Sequence, residues 1–267
     1  MEHRFYKLFS RGIDFNKTTL SNYINKAYTQ VQESISKLSI EKLNVSKDII
    51  TILVEECKFE DPKGIIVELD VDRKSMRMLK RTVLLEKNTH LSYPAIIRYK
   101  DKIYVYPENG ASGQLNIYKY DNATLKDPIC ILNVAVADST IVNFDNLFYM
   151  VTSHYPNTQN EVFLYASKSP LTLFKLDKDT PIQKDISCSR PAGNWIIVGD
   201  NYYRPSQDCK KRYGSAIAVM KVYPNCNFKE EKLFTLEPNS FRYNRGIHTL
   251  NFYNDLCVVD GYGYLYP

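Results

Sequence analysis

The sequence of 267 residues lacks the segments that mark membrane, secreted and cofactor-binding proteins. It contains no apolar run of 18 residues, and its charged start leads into no signal-peptide core. We therefore expect no membrane span and no secretion by the usual route. The six cysteines form no C-x-x-C pair and no metal-ligand spacing, which is typical of a reduced, cytoplasmic chain without a metal site. No glycine-rich phosphate loop is present either, and we predict no cofactor.

Basic residues exceed acidic residues only slightly, by 35 to 30, which gives a net charge of +5. They are scattered along the chain, and Lys210-Lys211-Arg212 is the only dense basic run. Three residues are too few to follow a phosphate backbone. The sequence therefore predicts no nucleic-acid partner.

Tyrosine is unusually frequent, with 21 copies. Its ring suits the pleated, half-buried surface of a strand, and exposed tyrosines are also common on surfaces that bind carbohydrate or protein. Composition alone leaves both roles open.

A short pattern occurs twice in the chain, 53 positions apart. Its two copies are Leu38-Ser39, Lys47-Asp48 and Glu55, and then Leu91-Ser92, Lys100-Asp101 and Glu108. An apolar run follows each Lys-Asp pair, at residues 49–54 and 102–106. Each copy therefore predicts a strand, a tight turn and a second strand that ends in a carboxylate. A repeat of about 50 residues built from strands is typical of a β-propeller, in which each blade is one antiparallel sheet.

Weaker copies of the pattern continue along the chain. The starts of four inner strands are 46, 50 and 58 positions apart, at Pro94, Thr140, Arg190 and His248. Paired apolar runs occupy residues 139–151, 191–204 and 247–260. We therefore predict an all-β fold, a five-bladed β-propeller over residues 38–267, in which the last blade lacks its two outer strands.

Residues 1–37 are predicted to form an N-terminal strand and one helix. Leu20, Ile24, Ala27 and Val31 follow helical spacing, so a helix is expected within residues 18–37. Alternation over residues 3–9 predicts a strand. Because propellers close by pairing an N-terminal strand with the last blade, which removes exposed sheet edges, this strand is expected to complete blade five.

Polar residues recur where the inner strands begin and where the second strands end. In a propeller these places converge on one mouth of the central channel. We predict that the ligand-binding residues are His90, Tyr93, Glu55, Asp138, Arg190, Arg204, Gln207, Tyr213, His248 and Asp260, with Glu108 and Asp208 as a catalytic pair if the protein is an enzyme. Convergence of this kind favours a polar small ligand such as a sugar.

Each of these residues also has a purely structural explanation. Glu55 and Glu108 could be solvated or could accept hydrogen bonds from backbone amides of a neighbouring blade. Arg190 could form a salt bridge between blades with Asp208 or Asp260. The two histidines at strand starts could be hydrogen-bonded structural residues. The sequence leaves these alternatives open.

Several motifs together resemble a known family. They are His90-Leu91-Ser92-Tyr93-Pro94 with Tyr106-Pro107-Glu108, Ser189-Arg190-Pro191-Ala192-Gly193 with Tyr203-Arg204-Pro205-Ser206-Gln207-Asp208-Cys209, Arg212-Tyr213-Gly214, and Gly246-Ile247-His248-Thr249-Leu250 with Val258-Val259-Asp260-Gly261. Over residues 38–261 the chain resembles the N-terminal domain of plant glucosamine inositolphosphorylceramide transferases and their bacterial relatives. That domain is similar to the five-bladed propellers of furanosidase-like glycoside hydrolases.

The resemblance implies a role in carbohydrate metabolism. In the plant enzymes a separate C-terminal glycosyltransferase domain transfers the sugar, so such a domain is a possible partner. In the hydrolases a catalytic Asp begins the first inner strand, usually in an Asp-Pro pair. The repeat aligns Ile40-Glu41 with Tyr93-Pro94, so the resemblance implies that this Asp is missing.

Three functions follow from these observations. The first is a sugar-binding propeller in glycan or glycolipid assembly, and the two guanidinium groups of Arg190 and Arg204 predict an anionic or nucleotide-linked sugar as its ligand. The second is a glycoside hydrolase that uses two carboxylates. The third is a scaffold for protein–protein contacts, which predicts an apolar or aromatic patch at a mouth.

Overall fold

The structure is a computed structural model that describes residues 48–57, 63–177, 179–238, 244–253 and 256–261. Within these ranges the chain is built from antiparallel strands, and the only helical segments are two short 3₁₀ turns, Gly110–Ser112 and Pro224–Cys226. No helix in the described ranges has the length and apolar character needed to cross a membrane. The predicted strand at residues 3–9 and the predicted helix at residues 18–37 lie outside the described residues.

The strands form a series of sheets that follow one another along the chain. The first sheet contains β1 (Ile49–Cys57), β2 (Gly64–Asp72) and β3 (Met78–Leu85), and the second contains β4 (Ser92–Tyr99), β5 (Lys102–Glu108), β6 (Leu115–Tyr120) and β7 (Leu125–Leu132). The third contains β8 (Val136–Phe144), β9 (Leu147–His154), β10 (Glu161–Ser167), β11 (Lys175–Leu176) and β12 (Gln183–Lys184). The fourth contains β13 (Ile196–Val198), β14 (Asn201–Asp208), β15 (Ala216–Tyr223) and β16 (Lys229–Leu236), and β17 (Leu250–Tyr253) pairs with β18 (Leu256–Val259). Neighbouring strands are antiparallel throughout, as expected for propeller blades.

The first four sheets are four blades of a β-propeller, which confirms the all-β propeller prediction. The predicted number of five blades is wrong for the described residues, because β17 and β18 form only a two-stranded hairpin. The strand pair was predicted correctly from the repeat. A complete blade needs a third and a fourth strand, and only residues 260 and 261 are described after β18.

The backbone shows tight turns in two of the predicted strand pairs. Lys100 and Asp101 connect β4 to β5 with φ angles of 48° and 59°, and Asp145 and Asn146 connect β8 to β9 with φ angles of 48° and 60°. Two consecutive residues with positive φ define the type I′ turn, whose twist matches that of the flanking strands. These local turns therefore fix the pairing of the two inner strands in blades 2 and 3.

Blades pack against each other through mixed apolar clusters. The largest cluster joins Tyr106, Leu115 and Ile117 of blade 2 to Met150 and Tyr165 of blade 3, and all five side chains are buried. The Tyr106 hydroxyl also accepts a hydrogen bond from the backbone N–H of Ile141 at 3.1 Å. This packing between blades fixes the positions of their inner strands, and therefore of the strand starts, relative to each other.

The inner strands of blades 2 and 3 contain equivalent β-bulges. The pairing register shifts between Ser92 and Ala95 in β4, and again between Ala137 and Thr140 in β8. Tyr93 and Asp138 lie within these bulges and have φ angles of 44° and 51°. A bulge changes the direction of a side chain and is common beside functional sites. The aligned bulges therefore place Tyr93 and Asp138 at equivalent positions of their blades.

The β17–β18 hairpin packs closely on blade 4. The N–H of Leu250 donates to the carbonyl of Ala192 at 2.7 Å. Gly193 has a φ of 138°, and a Cβ atom there would lie 2.0 Å from the carbonyl oxygen of Leu250. Only glycine permits both this backbone conformation and this approach.

Candidate functional site

A chain of polar contacts begins at Glu108, the last residue of β5. The Tyr155 hydroxyl donates to Glu108 Oε1 at 2.5 Å, and the backbone N–H of Asp138 donates to Glu108 Oε2 at 3.0 Å. Glu108 thus accepts a backbone hydrogen bond from the neighbouring blade, which is the structural role left open by the sequence. Because the donor is the amide of Asp138, Glu108 helps to hold the left-handed backbone of the β8 bulge.

Asp138 connects blade 3 to blade 4. Its Oδ2 atom accepts hydrogen bonds from Arg190 Nε at 2.5 Å and from Gln207 Nε2 at 2.7 Å. Arg190 Nη1 also donates to the Thr158 hydroxyl at 2.6 Å. Asp138, Arg190 and Gln207 are all buried. The sequence suggested Asp208 or Asp260 as the partner of Arg190, whereas the structure places Asp138 there.

Aromatic and imidazole rings continue the chain toward the hairpin. The guanidinium of Arg190 lies over the Tyr213 ring, 4.9 Å from its centroid, and the Tyr213 ring meets His248 edge to face at 5.6 Å. His248 Nδ1 contacts the buried Asp260 carboxylate, which also accepts the N–H groups of His248 and Thr249 at 2.9 and 2.7 Å. The charge of His248 and these hydrogen bonds lower the pKa of Asp260 against the opposing effect of burial.

The contacts therefore join residues from three blades and the hairpin into one site. Seven predicted site residues are connected or adjacent in this way, namely Glu108, Asp138, Arg190, Gln207, Tyr213, His248 and Asp260. Tyr93 lies in the β4 bulge that is equivalent to the bulge of Asp138, and burial and the charge of Asp138 raise the pKa of its hydroxyl. We call this group the mouth cluster. It combines ionised side chains, amide groups and aromatic rings at the starts of inner strands, which suits a polar ligand.

Arg204 takes no part in the mouth cluster. Its side chain is completely buried, and Nε and Nη2 bind both carboxylate oxygens of Glu230 at 2.6 and 2.5 Å. Nη1 and Nη2 also donate to the carbonyls of Ser189 and Cys188 at 3.0 and 3.1 Å. The guanidinium is therefore enclosed by protein acceptors and contributes to the packing of blade 4.

Asp208 is also separate from the mouth cluster. Its carboxylate pairs with Lys232 at 3.1 Å and accepts the N–H of Lys210 at 3.1 Å. No hydrogen bond joins it to Glu108 in the described part of the chain, and a role for these two carboxylates as a catalytic pair stays a prediction.

His90 and Glu55 form a second cluster with Cys57. One ligand atom from each of the three lies within 4.8 Å of the others, and these are side chains that bind zinc. However, His90 Nδ1 accepts the N–H of Gly64 at 2.8 Å, so the neutral ring carries its proton on Nε2, which faces Glu55 Oε1 at 3.4 Å. A metal-binding histidine instead donates from its second nitrogen. The arrangement is that of a hydrogen-bonded structural histidine.

Three residues with important contacts were missed by sequence reasoning. Tyr155 and Thr158 lie in the loop after β9 and contact Glu108 and Arg190, while Glu230 lies on the outer strand β16 and neutralises Arg204. The repeat aligns strands but not loops, so it carries no signal for the first two. Glu230 lies in the polar run 229–232, in which nothing distinguishes a buried glutamate from an exposed one.

The carboxyl group of Glu108 has an altered acidity. Burial, and then the charge of Asp138, raise its pKa from 4.5 to about 8 against the opposing effects of Tyr155 and Arg190. The unfolded chain releases this proton near pH 4.5, whereas the folded protein retains it until about pH 8. The stabilising contribution is therefore complete below pH 4.5 and decreases as the pH rises toward 8.

We expect this titration to be visible in the pH dependence of stability. Urea unfolding should give a free energy of unfolding that decreases between pH 4.5 and about pH 8, and Glu108→Gln should flatten that decrease because the amide does not titrate. The exposed Glu237 provides the control, since Glu237→Gln should leave the slope unchanged. An unchanged slope in Glu108→Gln would show that Glu108 is ionised throughout.

Comparison with known proteins identifies the family. Residues 43–242 match the family described as glucosamine inositolphosphorylceramide transferase 1, N-terminal. The chain belongs to this family. It is 31% identical over 148 residues to glucosamine inositolphosphorylceramide transferase 1 of Arabidopsis thaliana, covering 52% of this chain and 19% of that protein. The protein of the same name from Oryza sativa subsp. japonica is 28% identical over 173 residues, covering 62% and 22%.

The chain therefore matches about a fifth of the length of these curated relatives. Both are plant proteins, so this comparison supports the plant family and not the predicted link to bacterial relatives. The sequence-based resemblance to the N-terminal domain is otherwise confirmed.

Solved structures with a similar fold are glycoside hydrolases. A thermostable family-43 glycoside hydrolase superposes with a TM-score of 0.56 at 12% identity, covering 73% of this chain and 74% of the other. An exo-β-1,3-galactanase from Phanerochaete chrysosporium gives 0.55 at 11% identity, covering 74% and 49%. At this level of identity the similarity shows the shared propeller fold.

Proposed function

We propose that this propeller binds a carbohydrate at the mouth cluster and acts in glycan or glycolipid assembly. The observation that carries the proposal is the Asp138–Arg190 pair, in which residues 52 positions apart are brought together from two blades. The names of the related plant transferases and of the similar hydrolases refer to sugars, which agrees with this role. A separate glycosyltransferase domain or protein is the proposed partner, and a cytoplasmic location remains a prediction.

The surroundings of the pair favour a sugar over a protein partner. Sugars present hydroxyl groups and apolar ring faces, and both find complements in the mouth cluster. Asp138 and Arg190 provide hydrogen-bonding groups, while the partly exposed rings of Tyr155 and Tyr213 lie beside them. A scaffold for proteins would require an apolar patch instead of these buried charges.

The expected preference for an anionic or nucleotide-linked sugar loses its support. That expectation required two uncompensated guanidinium groups at the mouth. Arg190 is neutralised by Asp138, and Arg204 is enclosed with Glu230. Neither guanidinium therefore offers an uncompensated positive charge to a phosphate.

A glycoside hydrolase is the second candidate, and the raised pKa of Glu108 is the observation in its favour. A protonated carboxyl beside an ionised one is the arrangement that glycosidases use for acid catalysis. However, Glu108 is only 5% exposed, and both of its oxygens accept hydrogen bonds from Tyr155 and Asp138. Because both carboxyl oxygens of Glu108 already have protein partners, we rank sugar binding above hydrolysis.

A glycan array tests the proposal. The full chain should bind members of an array of neutral, uronate-bearing and phosphate-bearing glycans and nucleotide sugars. Tyr213→Ala removes the ring that packs on Arg190 and should weaken binding about tenfold, because aromatic packing and area burial are both lost. Tyr223 at the other end of β15 also has a cation over its ring, at 5.3 Å from Lys221, so Tyr223→Ala is the matched control and should bind normally.

Two outcomes would contradict the proposal. Absence of binding to every array member would remove the sugar-binding function. Turnover of a neutral glycoside that is lost in Glu108→Gln would place the hydrolase ahead of it.

A further inference from the structure

Blade 4 contributes to two buried pairs of arginine and carboxylate that differ in one respect. In the Arg204–Glu230 pair both carboxylate oxygens are bound, and all three guanidinium nitrogens donate to protein acceptors. In the Arg190–Asp138 pair, the described residues bind only Oδ2 of the carboxylate and accept only from Nε and Nη1 of the guanidinium. The first pair is closed, whereas the second is open.

The open pair has one acceptor atom and one donor atom that no described residue binds. Asp138 Oδ1 and Arg190 Nη2 have no hydrogen-bond partner among the described residues. Neither atom is among the fully enclosed polar atoms that lack a partner in the described ranges, which leaves both accessible to water or to a ligand group. A charged atom that is left without a protein partner in a largely buried site needs either water or a ligand group.

The β8 bulge and several hydrogen bonds hold the Asp138 carboxylate in this position. Asp138 lies in the β8 bulge with a φ of 51°, and Glu108 Oε2 binds its N–H. Gln207 holds the same Oδ2 atom that Arg190 uses, while the N–H of Gln207 donates to the carbonyl of Arg190 at 2.7 Å. Three contacts besides the pair's own hydrogen bond therefore hold it in place, and none of them uses Oδ1.

We propose that the open Asp138–Arg190 pair recognises a vicinal diol on an uncharged sugar ring. One hydroxyl donates to Asp138 Oδ1, and the neighbouring hydroxyl accepts from Arg190 Nη2. Adjacent hydroxyls offer a donor and an acceptor side by side, and hydrogen bonds to charged groups are stronger than neutral ones. This inference rests on the proposed sugar-binding function and specifies its ligand.

The charges of the Asp138–Arg190 pair disfavour an anionic ligand at this site. The guanidinium of Arg190 is already paired with a carboxylate, so the pair has no net charge. A phosphate or uronate beside it would approach the free oxygen of Asp138, and like charges at short range repel each other. A neutral diol satisfies both atoms without that repulsion.

Calorimetric titration of the full chain with simple glycosides tests the inference. The panel contains methyl hexopyranosides and methyl pentofuranosides, each with its monodeoxy and mono-O-methyl derivatives, together with uronate-bearing and phosphate-bearing counterparts. A glycoside that binds should lose affinity about tenfold or more when either of two adjacent hydroxyls is removed, and should lose little at the other positions. Charged counterparts should bind more weakly than the neutral parent.

Two variants assign this selectivity to the pair. Asp138→Asn removes the charged acceptor and Arg190→Lys removes the planar donor fork, so each should reduce the difference between the parent glycoside and its deoxy derivative. Arg204→Lys disturbs the closed pair in the same blade and should retain the full difference. If Asp138→Asn does not fold, titration of the unmodified chain with the deoxy glycosides still tests diol recognition.

The outcomes separate this inference from the function on which it rests. Binding that is equal for parent and deoxy glycosides, or tighter for charged ones, overturns diol recognition while sugar binding stands. Absence of binding to every member of the panel and of the glycan array overturns both. Loss of affinity at two adjacent hydroxyls, reduced in both variants, supports both.

Discussion

Replacement of Arg204 by Met should lower the free energy of unfolding by about 3–5 kcal/mol, which is the usual effect of leaving a buried charge without its partner. The Arg204 side chain is completely buried, as is that of Glu230. The substitution leaves the Glu230 carboxylate uncompensated and removes the donors to the carbonyls of Ser189 and Cys188. For a domain of this size the midpoint of thermal unfolding should fall by roughly 10 °C.

Thermal and urea unfolding of three variants check this result. The double variant Arg204→Met with Glu230→Leu removes both charges and should recover most of the loss. Lys211→Ala breaks an exposed pair with Glu237, whose side chains are 69% and 59% exposed, and should change stability by less than about 0.5 kcal/mol. A single Arg204 variant as stable as Lys211→Ala would contradict the buried pair.

Replacement of Asp260 by Ala should loosen the β17–β18 hairpin from blade 4. Asp260 is 6% exposed and accepts the N–H groups of His248 and Thr249. Its removal leaves two donors and the His248 ring without their acceptor, and each unsatisfied buried group costs about 1–3 kcal/mol. We expect the free energy of unfolding to fall by about 2–4 kcal/mol.

Amide hydrogen exchange over residues 244–261 is the appropriate measurement, because the expected opening is local. Exchange at His248, Thr249 and Leu250 should accelerate more than in blades 2 and 3. Asp260→Asn keeps an oxygen acceptor and should have a smaller effect. Asp121 pairs with Lys126 at a side-chain exposure of 41%, so Asp121→Ala should leave the hairpin unchanged. Uniform acceleration in all blades would mean that the hairpin does not open separately.

Much of the propeller could be predicted because its signals are local. The Lys100-Asp101 and Asp145-Asn146 turns are short-range features, and so is the alternation of the strands that flank them. The comparison of strand starts also selected Tyr93 and Asp138, and the structure shows both residues in equivalent bulges. The incorrect count of five blades arose at the hairpin, where a strand pair was counted as a fifth blade.

The candidate site was predicted as a set of positions but not as a set of partners. The alignment of the blades predicted Glu108, Asp138, Arg190 and His248 as members of one site, and contacts connect these residues in the structure. It could not identify Tyr155 or Thr158, because loops have no repeat. It also placed Arg204 beside Arg190, although the two side chains have different surroundings.

By itself, the sequence determined the strands, the turns and several of the positions that contact each other in the mouth cluster, because these follow from short-range alternation and from a repeat. Only the tertiary structure decided the charge of the site. Whether a guanidinium is free depends on the distance to one carboxylate, which for Arg204 and Arg190 lies 26 and 52 positions away in the chain. No local pattern encodes that distance, since packing between strands and between blades sets it. The same packing closed the Arg204–Glu230 pair and left Asp138 Oδ1 open.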